Sequence, residues 1–149
     1  MFSIIIPSLN NIDYLKLCIK SIKNNSNFNH EIIVHVNQGT DGTIKFLKKE
    51  KIKYSYTNYN AGICKGVNLA SKISTYDYIL YAHDDFYFCP GWDDVLIKEL
   101  NNLKNNLFYF SGTMIQNGQV ELDCGNSLEN FDENKLLKEY KSIKFFDFQ

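Results

Sequence analysis

Two adjacent carboxylates, Asp84 and Asp85, stand just past the apolar run Tyr78-Ile79-Leu80-Tyr81-Ala82, with His83 directly before them and Pro90-Gly91-Trp92 a few residues on. Charges of one sign this close repel each other, and the repulsion is relieved by water, by hydrogen bonds or by a cation. A hard divalent ion such as Mg²⁺ or Mn²⁺ takes oxygen ligands and commonly combines one or two carboxylates with substrate phosphates. The competing reading is a solvated turn ahead of Pro90-Gly91. Three more polar stretches follow apolar ones: Pro7-Ser8-Leu9-Asn10, Asn37-Gln38-Gly39-Thr40-Asp41-Gly42-Thr43, and Asn60-Ala61-Gly62-Ile63-Cys64-Lys65-Gly66-Val67-Asn68. Gly62 and Gly66 flank Lys65 where a helix is expected to start, and free N–H groups with the helix dipole favour an anion there. A solvated surface lysine is the alternative for Lys65.

The elements that must position these loops alternate in type. Phe2 to Ile6 is rich in isoleucine and ended by Pro7, as expected of a buried strand. Leu15, Cys18, Ile19 and Ile22 recur at helical spacing, with Asn10 or Asn11 available as a cap and Asp13 in the first turn. Glu31 to Val36 repeats the strand, and Asp41-Gly42-Thr43 opens a short helix with Ile44 and Leu47 on one face. Lys53 to Thr57 predicts a third strand, Ile63, Val67, Ala70 and Ile73 a helix, and Tyr76 to Ala82 a fourth strand, central and buried. Strands alternating with helices imply an α/β domain with a mostly parallel sheet. Ligands of such sheets bind beyond the carboxyl ends of the strands, which is where all four polar stretches fall.

The chain of 149 residues has the size of one domain with one core. A formal net charge of −1 gives no global field that would recruit nucleic acid or an anionic membrane. All 16 basic residues are lysine, so no guanidinium is available anywhere. Cys18, Cys64, Cys89 and Cys124 form no CxxC or Cys/His cluster, which predicts free buried thiols in a reducing, cytoplasmic compartment. No 18-residue apolar stretch signals a membrane span, and the apolar start is too short for a signal peptide.

The stretches SIIIPSLN, EIIVHVNQGTDGT, NAGICKGVN and YILYAHDDFYFCPGW, in this order over residues 3 to about 103, resemble the nucleotide-binding half of family 2 glycosyltransferases with the GT-A fold. The resemblance implies one GT-A domain over residues 1–149, with residues 1–103 binding a nucleotide-sugar and 104–149 forming a minimal acceptor side. Full members of the family carry a longer acceptor half, so the chain is a minimal member or a module of a larger protein. The implied reaction is an inverting single displacement, by an acceptor hydroxyl, of a nucleoside diphosphate from its sugar. UDP is the first expectation for the nucleotide, and the acceptor stays open among a glycan, a lipid-linked sugar and a nucleic-acid modification.

By the same resemblance His83-Asp84-Asp85 matches the DxD motif. Asp85 is then the ligand of Mn²⁺ or Mg²⁺, and Asp84 faces ribose or sugar with a second, looser metal role. His83 replaces the usual first aspartate; it would hydrogen-bond the nucleotide, bind the metal, or simply be a satisfied structural histidine. Pro7, Ser8, Asn10 and Asn37 match the segments around base and ribose. Asn37 stands where relatives usually carry a carboxylate, and its side-chain carbonyl offers an acceptor for a uracil N–H; an Asx-type turn residue is the alternative. Gly62, Lys65 and Asn68 match the loop facing the diphosphate, with Val67 where relatives often carry arginine. Trp92 matches the Pro-Gly-Trp that lines the sugar or acceptor site, although with Leu96, Leu100 and Leu103 it also fits the buried face of a helix. The general base is expected in the later part of the chain. Asp123, after an expected strand Gln119–Leu122, is the leading candidate beside Asp132 and Glu133, which also suit the start of a helix carrying Leu136 and Leu137.

Two other function classes fit the same residues: a nucleotide-sugar-binding module without catalysis, and a sugar nucleotidyltransferase. The second expects a Gly-rich triphosphate loop after the first strand, which is absent. No GxGxxG follows any strand, which speaks against a classical dinucleotide site.

Overall fold

The structure, a computed structural model, describes residues 1–105, 107–115 and 120–143. Strands and helices alternate: β1 (Phe2–Leu9), α1 (Ile12–Asn25), β2 (Glu31–Asn37), α2 (Thr43–Lys49), β3 (Lys53–Thr57), α3 (Ile63–Ser71), β4 (Tyr78–Tyr81), α4 (Trp92–Asn102) and α5 (Glu133–Glu139), the last followed by a 3₁₀ turn at Tyr140–Ser142. The chain divides into two compact units, one ending at Ile97 and one starting at Lys98.

The first unit holds a four-stranded sheet in the order β3-β2-β1-β4, every neighbouring pair parallel. Isoleucine and valine fill the two inner strands because both of their faces are covered, as parallel strands require. Ile4, Ile5, Ile6, Ile33, Val34 and Val36 are all fully buried. Helix α3 closes one face by packing Ala70 and Val67 on Ile5 and Ile33. Gly66 makes that approach possible, since a Cβ there would lie 2.7 Å from Cδ2 of the His35 ring. Helix α1 buries the stripe Leu15, Cys18, Ile19 and Ile22 that its spacing predicts.

Three boundaries differ from expectation. Pro7 does not end β1, which runs on to Leu9. The Ile5 carbonyl accepts from Ala82 N–H on the β4 side, and Pro7, two residues on, presents the same edge. Since β4 has ended by then, with Ile5 opposite Tyr81, the missing N–H of Pro7 leaves no bond unmade. The fourth strand is shorter than Tyr76–Ala82 and lies at the sheet edge instead of its centre, with Ile79 and Tyr81 exposed. In the second unit, Gln119 lies outside the described residues, and Val120 to Leu122 shows one bridge, Ile115 to Val120, in place of a strand. The aromatic tail from Lys144 also lies outside the described residues.

The amino edge of the sheet is tied by carboxylates. Glu31 accepts from Ser3 Oγ at 2.7 Å, from Thr75 N–H at 2.9 Å and Oγ1 at 3.0 Å, and from Lys53 Nζ. Burial alone pushes its carboxyl up, and these bonds override that to bring it down to about 2. Asp93, fully buried in the first turn of α4, accepts through Oδ2 from Asn27 N–H, Phe28 N–H and His30 Nε2 at 2.8, 2.9 and 3.0 Å. His30 Nδ1 accepts from Phe2 N–H at 3.1 Å, which leaves Nε2 as the ring nitrogen that donates to Asp93.

Candidate functional site

At the opposite, carboxyl edge the loops after β1, β2 and β4 are joined by side chains. Asn10, at φ 49°, accepts from Thr40 N–H through Oδ1 at 2.8 Å and donates to Gln38 Oε1 at 3.2 Å. Asp41 accepts from Thr43 N–H and Oγ1 at 3.1 and 2.7 Å, so it opens α2 as its position predicts. Its second oxygen accepts from Ile12 N–H at 2.9 Å, the first backbone donor of α1. Burial pushes the Asp41 carboxyl up, but the bonds from Thr43 and Ile12 outweigh it and hold the group below its ordinary range. One carboxylate from the second loop thereby caps two helices.

Asn11 occupies the N-cap position of α1 and makes no capping bond. Its side chain donates to Asp84 Oδ1 at 3.1 Å, across 73 residues of sequence. Asp84 is half-buried; Asp85 is exposed, and its carboxylate has no hydrogen-bond or ion-pair partner among the described residues. Beneath them, burial and then the charges of Asp84 and Asp85 push the Cys18 thiol up to about 12. That thiol donates to the His83 carbonyl at 3.5 Å. His83 Nε2 bonds the Tyr81 hydroxyl at 2.7 Å, and its ring lies 5.1 Å from Phe86. Burial, followed by Cys64, Asp85 and Asp84, raises the Tyr81 hydroxyl above its ordinary range.

This donor set suits a divalent cation in one respect: of two adjacent carboxylates one is untethered, and neither has a lysine ion-pair partner among the described residues. Among the described residues no group of three or more His, Cys, Asp or Glu side chains is placed to hold a metal. A cation here would therefore draw its remaining oxygens from ligand and water.

The other expected site residues are placed as follows. Pro7 and Ser8 are buried, and Ser8 Oγ has no hydrogen-bond partner among the described residues. Asn37 is buried, and its Oδ1, expected to be offered to a base, accepts from Ala61 N–H at 2.7 Å and so fastens the loop ahead of α3. Gly62, at φ 76°, precedes α3; Asn68 is exposed on it. Lys65 is exposed, with Nζ donating to the Tyr59 hydroxyl at 2.7 Å. Trp92 is drawn into packing: its Nε1 donates to Ser26 Oγ at 3.1 Å, and its ring lies 4.9 to 6.1 Å from Phe88, His30 and Phe2. These contacts fit the packing alternative for Trp92, which is half-buried. In the second unit, Asp123 is exposed, with Oδ1 accepting from Gly125 N–H at 3.0 Å and its backbone carbonyl accepting from Lys135 Nζ at 2.6 Å. Asp132 caps α5 through Lys135 N–H at 2.9 Å, and Glu133 lies in its first turn. Of the four thiols, all free, Cys18 and Cys124 are buried and Cys64 is exposed, against the expectation of burial throughout.

Residues 3–146 match the profile of Glycosyl transferase family 2. The chain belongs to that family. It is similar to an uncharacterized glycosyltransferase of Rickettsia bellii, 33% identical over 90% of this chain and 19% of the relative, and to one of Rickettsia conorii, 31% identical over 92% and 22%. The chain thus spans about a fifth of the length of the curated relatives it matches. Among solved structures, S. aureus TarS 1-349 superimposes with a TM-score of 0.68 over 83% of this chain and 38% of that one, at 21% identity. The same protein in complex with UDP gives 0.57 over 64% of this chain and 31% of that one, at 25% identity. The four-stranded parallel sheet flanked by helices is the GT-A fold of these glycosyltransferases. No helix among the described residues is long and apolar enough to cross a membrane.

For this family member, sequence reasoning missed how Asn11 and Asp41 are used. Both were legible only as helix openers, and the available signal was redundancy: two loops on one edge offered more capping side chains than the two helix starts needed.

Proposed function

We propose that this chain forms the donor site of a metal-dependent, inverting glycosyltransferase that takes a UDP-sugar and delivers the sugar to a hydroxyl of a glycan or lipid-linked acceptor. The observation that carries the reading is the pair Asp84 and Asp85 at the carboxyl edge of the sheet, one tethered by Asn11 and one unpartnered among the described residues. Membership of the family and the UDP bound by S. aureus TarS support it. Four free cysteines support a reducing, cytoplasmic setting.

Asp85 would be the principal ligand of Mn²⁺ or Mg²⁺, with Asp84 beside it. When bound, such an ion neutralises charge on the departing diphosphate. The chain's own contribution to that charge is Lys65, because no arginine exists to clamp it. The Lys65 ammonium rests on an exposed tyrosine hydroxyl, so turning it toward phosphate gives up one weak bond. Asn37 acts by fixing the 59–62 loop, and Asn10 by locking the loops after β1 and β2 together. Asp123 is our candidate general base. One of its oxygens accepts from Gly125 N–H, and the other, without a hydrogen-bond partner among the described residues, would take the proton of an attacking hydroxyl.

Calorimetric titration with UDP and GDP, with Mn²⁺ or with chelator, followed by a donor-hydrolysis screen, tests the reading. UDP binding that needs Mn²⁺, and slow UDP release from one UDP-sugar, are expected. Absence of nucleotide binding both with Mn²⁺ and with chelator would overturn it. Asp123→Ala is expected to spare UDP binding and abolish transfer to acceptor.

A further inference from the structure

We propose that Asn11 is a positioning residue for the carboxylate pair: its side-chain amide sets the orientation of Asp84 and thereby the affinity of the site for a divalent cation. The inference rests on the donor-site reading above.

Asparagine at a helix N-cap ordinarily turns its oxygen back onto the N–H groups of the first turn. Asn11 sits at that position with φ −129° and ψ 46° and makes no such bond. The Ile12 N–H is served by Asp41 Oδ2 from the neighbouring loop, and Leu15 N–H is served by the Asn11 backbone carbonyl at 3.0 Å. Asp41 takes over a capping bond at the start of α1, so the Asn11 side chain is released for another partner. That partner is Asp84 Oδ1 at 3.1 Å.

The chemistry of the donor matters. An amide N–H holds one carboxylate oxygen without cancelling its charge, whereas an ammonium in the same place would compete with a metal ion. Asn11 therefore restrains the torsional freedom of Asp84 while leaving its negative charge, and the Oδ2 oxygen, available beside Asp85. Outer-shell partners that orient ligating carboxylates typically change metal affinity by about 10- to 100-fold when removed. Asp84 is the more weakly committed ligand in the donor-site reading, so the lower end applies.

The test is Mn²⁺ binding followed by electron paramagnetic resonance in the presence of UDP, on the full chain, for wild type, Asn11→Ala, Asp84→Ala and the double variant, with thermal midpoints recorded alongside. Asn11→Ala is expected to weaken Mn²⁺ binding about tenfold at an essentially unchanged midpoint. In the Asp84→Ala background the same substitution is expected to have no further effect, because its influence runs through Asp84. A purely structural role would give additive losses in the two backgrounds, and that result overturns the proposal. So does unchanged affinity in a folded Asn11→Ala. If Asn11→Ala does not fold, Asn11→Ser, which keeps a good N-cap side chain but is uncharged and too short to reach Asp84, takes its place in the cycle; the same absence of further effect in the Asp84→Ala background supports the proposal and additive losses overturn it. Wild-type chain that binds UDP and Mn²⁺ while Asn11 proves indifferent defeats this inference alone; wild-type chain that binds neither defeats the donor-site reading and this inference with it.

Discussion

The two edges of the sheet use carboxylates in opposite ways. At the amino edge Glu31 is surrounded by Ser3, Lys53 and Thr75, and Asp93 by two backbone N–H groups and His30, so their charge is absorbed in joining β1, β2, β3 and α4. At the carboxyl edge Asp84 has one amide donor, and Asp85 has no partner among the described residues. Charge that the fold consumes at the amino edge, and at Asp41 on the carboxyl edge, is left open at Asp84 and Asp85. The lesson is that a carboxylate's partners, not its sequence company, mark it as a structural acid: Asp93-Asp94 and Asp84-Asp85 are both adjacent pairs, and the bonds that absorb Asp93 are missing at Asp85 among the described residues.

The largest contrast should come from Asp93. Replacing it with alanine takes the acceptor from the Asn27 and Phe28 N–H groups and from the buried His30 Nε2–H, so a loss of about 2–4 kcal/mol is expected in denaturant unfolding. A loss under about 1 kcal/mol would break the comparison at its strongest point. Next is Gly66→Ala, which drives a Cβ against the His35 ring between α3 and β2 and should cost about 1–3 kcal/mol without altering metal binding.

The pH dependence sharpens the amino-edge half. Glu31 has a folded value of about 2 against 4.5 for the unconstrained group. A depressed carboxyl contributes stability that is complete above pH 4.5 and is lost as pH falls through 2. Glu31→Gln should flatten the stability curve in that window, and an unchanged slope would contradict the assignment. His35 works in the same direction at higher pH. Burial lowers its value below 6.5, and it is held neutral between Ser55 Oγ at 2.8 Å and Thr57 Oγ1 at 3.3 Å, so stability begins to fall as pH drops below 6.5.

How much of this was visible in the sequence depends on the range of the interaction. The alternation of strands and helices, the Lys53–Thr57 strand and the buried stripe of α1 all follow from local periodicity, and the structure repeats them. Pro7 defeated a local rule because its harmlessness depends on where β4 stops, which is a property of the sheet. The exposure of β4 likewise depends on strand order. At the site, sequence spacing located Asp84 and Asp85 at a strand end. It carried no information on the bond from Asn11, 73 residues away, nor on Asp41 capping α1 from 29 residues away. Trp92 was ambiguous for a similar reason: its neighbours Phe2, His30 and Phe88 converge only in three dimensions.

The smallest expected effect on stability, and the most direct test of the central claim, belongs to the carboxyl edge. Asp85→Asn should leave the unfolding free energy within about 0.5 kcal/mol of wild type, or raise it slightly by easing the repulsion from Asp84. The measurement is Mn²⁺-dependent UDP affinity by calorimetry on that variant, paired with its denaturant midpoint. Lost nucleotide binding at an unchanged midpoint is the predicted result. Full UDP affinity with Mn²⁺, or a midpoint that collapses as with Asp93→Ala, would show that Asp85 serves the fold and not a ligand.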